Sequence, residues 1–83
     1  MAAMEHKDRD TLLVSLADET HNARSIIDDL HAHGPVVWKR FNATREQSLW
    51  YYRALSDTYL RLLPGPGAER FAQIVAGLQQ AGR

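Results

Sequence analysis

The sequence predicts an all-α protein: a three-helix domain, with a long antiparallel helical hairpin plus a short C-terminal helix, assembling as a dimeric helical bundle. Three observations carry this expectation. Apolar residues recur at intervals of three and four in the first and third segments of the chain and along one stripe of the second. Gly34-Pro35 and Pro64-Gly65-Pro66-Gly67 divide the sequence into three segments. The one short β-branched run, Val36 to Phe41, has no second run with which to pair as a strand.

The first segment predicts a helix over about 10–33. Leu13, Leu16, Thr20, Ala23, Ile27 and Leu30 are spaced three and four apart, with Leu12 and Ile26 widening one flank, and Asp10 stands at the start as an N-cap. Thr20 and Ala23 leave the middle of this stripe thin. Gly34 then sits where a helix C′ residue belongs, and Pro35 where a following helix can begin without losing a useful N–H.

The second segment predicts helix over about 36–63 and carries six of the seven aromatic residues: Trp38, Phe41, Trp50, Tyr51, Tyr52 and Tyr59. Leu49, Trp50, Tyr51 and Tyr52 are consecutive, and at 100° per residue they point nearly all the way round a helix, so one neighbouring helix cannot cover them. Thr44 followed by Gln47 is a capping-box signature. It raises the alternative of a break near 42–44, with a short helical or extended piece before it and the main helix after it. An elbow at 64–67 follows, and then a third helix over about 68–81, where Phe71, Ile74, Val75 and Leu78 form a clean stripe. Gly77 and Gly82 weaken that helix intrinsically and make it dependent on docking.

The chain has 83 residues and no cysteine, which excludes disulfides, thiolate nucleophiles and Cys-based zinc sites. A domain this small buries only about 60% of its unfolded surface, so a stable core must either be packed very efficiently or be extended by self-association. Ten basic residues balance ten acidic ones. The balance is uneven along the chain: residues 1–34 hold seven acids and three bases, net −4, and residues 35–83 hold three acids and seven bases, net +4. An acidic helix beside a basic one favours correct pairing, although each exposed pair contributes only about 1 kcal/mol or less. The charged start without an apolar run, and the lack of any long apolar stretch, give the expectation of a cytoplasmic chain with no membrane partner.

Three chemistries compete with plain packing. Asp18 with His21 and Asp28 with His31 are i, i+3 carboxylate–imidazole pairs that could each reach one metal ion in a helical bundle. Only Glu46 and Asp57 in the second segment could complete such a site, so exposed Asp/His pairs are the stronger reading. Trp38-Lys39-Arg40-Phe41, Arg45 and Arg53 could stack on and neutralise a nucleic acid, but the aromatics are spread around the helix and the acidic first helix lies alongside. No Gly-x-Ser-x-Gly elbow or phosphate loop is present, so the expectation is a non-enzymatic protein without a cofactor. The expected function is a small interaction or regulatory module. It homodimerises, with a further protein partner as an option, through Trp38, Phe41, Trp50, Tyr51 and Tyr59. A bundle metal site on Asp18, His21, Asp28 and His31 is the first alternative, and a nucleic-acid-binding regulator the second.

Overall fold

A computed structural model describes residues 8–41 and 43–82. It is all-α: α1 spans Arg9–His33, a 3-10 helix Gly34–Arg40, α2 Arg45–Leu62 and α3 Pro66–Ala81. Each boundary has a local cause. The Asp8 carboxylate accepts from the Thr11 N–H at 2.8 Å, which caps α1 one turn-fraction earlier than Asp10 would. That same hydrogen bond holds the Asp8 carboxyl below its ordinary pKa. Gly34 ends α1 with φ at 74°, a conformation only glycine adopts without strain, and Pro35 opens the 3-10 helix. The chain from Gly34 to Leu62 is therefore two helices of different kinds, separated by extended backbone at Phe41.

The cause of that separation is the capping box. The Thr44 hydroxyl accepts from the Gln47 N–H at 3.1 Å, and the Gln47 side-chain carbonyl accepts from the Thr44 N–H at 3.0 Å. Helix α2 therefore starts at Arg45 and not near residue 36, where the sequence predicts it. At the other end, α3 begins at Pro66, so the elbow is shorter than the sequence suggests. Pro66 and Gly67 occupy the first helical turn, where a missing N–H costs nothing.

The helices run up, down and up. Gly67 lies against Leu16 and Gly77 against Ile27, so α3 is parallel to α1. Tyr59 meets Phe71, and Gln79 donates to the Leu49 carbonyl at 2.7 Å, so α3 is antiparallel to α2. The expected hairpin is corrected in one respect: α1 packs mainly against α3 and the 3-10 helix, and α3 also packs against α2. A Cβ on Gly67 or Gly77 would meet Leu16 and Ile27 of α1 at ordinary contact distances of 3.5 and 3.8 Å, so α3 runs alongside α1 at both positions.

The stripe of α1 is corrected as well. Its buried residues are Leu12, Leu16, Ala23, Ile26 and Leu30, while Leu13 is 42% exposed and Ile27 half-buried. Two neighbours, not one, define the inward direction, and α3 already covers the Leu16/Ile27 flank. The buried face is thereby turned toward α2, and it passes through Glu19. Val37, Leu55, Tyr59, Ala68, Phe71, Val75 and Leu78 complete the core. Among the described residues no buried side-chain polar atom lacks a hydrogen bond, partly because Thr20 and Thr58 donate to the Leu16 and Ala54 carbonyls one turn back. No described helix is long and apolar enough to cross a membrane.

The rotated stripe separates two adjacent leucines. Leu12→Ala is expected to lower unfolding free energy by about 2–4 kcal/mol, and Leu13→Ala by less than about 1 kcal/mol, in urea denaturation followed by circular dichroism.

Candidate functional site

The break before α2 creates the most distinctive surface of the molecule. Phe41 and Ala43 from the connecting segment, with Gln47, Ser48, Trp50, Tyr51 and Tyr52 from the first two turns of α2, line a cleft of about 490 Å³. Trp50 is 67% exposed, Tyr51 41% and Phe41 37%. Tyr51 stands edge-on to Tyr52, with ring centroids 5.4 Å apart, and Phe41 leans on Trp38 at 5.6 Å. Trp38 is half-buried and packs on Gly82, where an added Cβ would come within 3.0 Å of the indole and 3.1 Å of Leu49. The wall of the cleft formed by Phe41 is thus braced, through Trp38, against the C-terminal end of α3.

Four of the five expected interface residues, Trp38, Phe41, Trp50 and Tyr51, gather around or behind this cleft. Tyr59 does not. It is fully buried, its ring edge-on to Phe71 at 5.4 Å and its hydroxyl 2.6 Å from that of Ser15, so it has no surface to offer a second chain. Its position on the inner stripe of α2, four and seven residues after Leu55 and Tyr52, already carries that information in the sequence. Ala43, Gln47, Ser48 and Tyr52 also line the cleft and were not among the expected interface residues. The capping box was the available signal, because it fixes where the loop gives way to the helix.

Asp18, His21, Asp28 and His31 are all exposed on α1. Among the described residues no group of three His, Asp or Glu side chains is placed to hold a metal ion. The basic residues near the aromatics are solvated too: Lys39, Arg40, Arg45 and Arg53 are exposed. Arg40 reaches Asp29 of α1 at 3.9 Å, and Arg45 pairs with its neighbour Glu46 at 2.9 Å. Both pairs are well exposed and add little to stability.

The seam between α1 and α2 carries the electrostatic anomaly of the fold. Glu19 lies on the buried stripe of α1 and, among the described residues, makes no hydrogen bond or ion pair. Burial pushes its carboxyl pKa up, and Asp18 adds to the effect. The same burial, together with the Glu19 charge, raises the phenols facing the seam: Tyr51 and Tyr59 shift upward, and Tyr52 is pushed up to about 12. At neutral pH these tyrosines are therefore un-ionised, and the cleft offers π faces with Gln47 and Ser48 as its hydrogen-bonding groups. Such a lining suits stacking and apolar contact.

The fold and the cleft define a three-helix all-α protein with an exposed aromatic surface. Compared with protein-family models, curated proteins and solved structures, the chain shows no match to any of them.

Two measurements probe the seam. Because the Tyr52 phenol is raised from 10 to about 12, the folded state keeps a proton that the unfolded chain releases. Its contribution to stability is complete below pH about 10 and falls away as pH rises toward 12, which ultraviolet titration run beside circular dichroism will register. Glu19 has the same sign at lower pH: its raised pKa makes ionisation unfavourable to the fold. Glu19→Gln is expected to raise the melting temperature at pH 7, with the gain vanishing in acid where Glu19 is protonated.

Proposed function

We propose that this chain is a small, non-enzymatic interaction module that self-associates through the aromatic surface of Phe41, Trp50 and Tyr51. One observation supports the reading above the others: Trp50 stands 67% exposed beside a cleft walled by three other aromatic rings. Water-facing aromatic area of this kind is costly to leave uncovered, and Trp and Tyr are the residues that most often anchor protein interfaces. Charge frames the same surface. Arg45, Glu46 and Arg53 surround the aromatic group on α2, giving the apolar centre and polar rim that interfaces favour. The mechanism is burial of Trp50 and its neighbours against a complementary surface, with the charged rim setting orientation.

Sedimentation velocity over a concentration series tests the reading. The expected result is a species heavier than the 9.4 kDa chain at high micromolar concentration. Trp50→Ala should weaken the association by about 2 kcal/mol or more, and His21→Ala, on the exposed face of α1, should leave it unchanged. A chain that stays at its monomer mass throughout overturns the proposal.

A further inference from the structure

We infer that two copies of this chain pack their α2 helices antiparallel, with the two-fold axis at Trp50 and each indole entering the cleft of the other copy. The inference rests on the self-association proposed above and adds its geometry.

The charge order along the outward face of α2 carries the argument. Glu46, Trp50, Arg53 and Asp57 fall on one side of the helix at 100° per residue, and all four are exposed. Reading outward from Trp50, the acid Glu46 is four residues before and the base Arg53 three residues after. An axis at Trp50 places each position after it opposite the position equally far before it on the second copy. Arg53 then comes level with Glu46 of the other chain, whose carboxylate also pairs with its own Arg45 at 2.9 Å, offset by one residue, about 1.5 Å along the axis. The pair lies on the same flank of the contact and occurs twice by symmetry. Asp57 is likewise carried toward the N-terminal end of the other α2, where a helix terminus favours negative charge.

The alternative arrangements lose this match. Parallel packing sets Glu46 on Glu46 and Arg53 on Arg53, like charge on like. A foreign surface of a single sign would repel one charge for every one it matched. Of these arrangements the reversed one sets opposite charges together on both sides of the centre, which suits a closed, isologous pair. The apolar part agrees: the cleft lies beside Trp50, so an indole from the second copy meets Phe41 and Tyr51 while its own cleft receives Trp50 in return.

Charge reversal tests the arrangement. Glu46→Arg and Arg53→Glu, each alone, turn both cross-pairs repulsive and should weaken self-association about tenfold. An equimolar mixture of the two variants should recover the wild-type affinity as a heterodimer, because each chain then supplies the charge the other needs. Circular dichroism melts of the separate variants establish that both remain folded. A second measurement does not depend on those substitutions: the chain has no cysteine, so Asp57→Cys takes a single nitroxide label. Spin–spin distances should then place the two labels about 21 Å apart along the helix axes, seven residues on either side of the centre. Association with the labels level and close, or with the single reversals harmless, overturns the antiparallel arrangement and leaves self-association standing. No association of the unmodified chain at high micromolar concentration removes both.

Discussion

Tyr59 is the point at which the three helices are tied together. Its ring is set edge-on against Phe71 of α3, its hydroxyl meets Ser15 of α1, and its own backbone belongs to α2. It is the largest side chain in the molecule with essentially no exposure. Everything else in the packing is arranged around this one residue. Helix α3 runs alongside α1, and the Tyr59 side chain reaches from α2 to α1 at its polar end. A phenol there needs a partner, and Ser15 supplies one without placing a charge in the interior.

Helix content and the breaks at Gly34-Pro35 and Pro64-Gly65 were legible in the sequence, and the third break, before α2, was signalled as an alternative, because all depend on local chemistry. Gly34, Pro35, Thr44 with Gln47, and the Pro64-Gly65 turn act on their own backbone, so their effects do not wait for tertiary structure. The facing of each helix was less legible. Leu12 and Leu13 are equally apolar, and only the placement of the neighbouring helices decides that Leu12 is buried while Leu13 stays at the rim of the groove between α1 and α3. The order of packing was hidden for a similar reason: glycine in a helix reads as weakness, whereas Gly67 and Gly77 are the positions at which α3 approaches α1.

The same distinction applies to the aromatic surface. Four consecutive large residues cannot all face one neighbour, and the structure divides them: Tyr52 turns inward, Leu49 packs under Gly82 and Gln79, and Trp50 and Tyr51 stay outside. Which member of the aromatic set would be spent on the core could be read only partly from the chain. Tyr59 lies on the inner stripe, yet its aromatic character made it resemble Trp50. Glu19 is the converse case, a carboxylate carried into a half-buried position because the stripe of α1 is turned toward α2. Its charge adds to the burial that raises the tyrosines sharing the seam.

The brace between Trp38 and Gly82 gives the two indoles unlike surroundings, one held against the end of α3 and the other standing in water. Their fluorescence should accordingly differ, Trp38 emitting toward the blue and Trp50 toward the red. Light emitted by this chain thus carries two signals at separate wavelengths: loosening of the bundle end would register through one indole, and any covering of the aromatic face through the other.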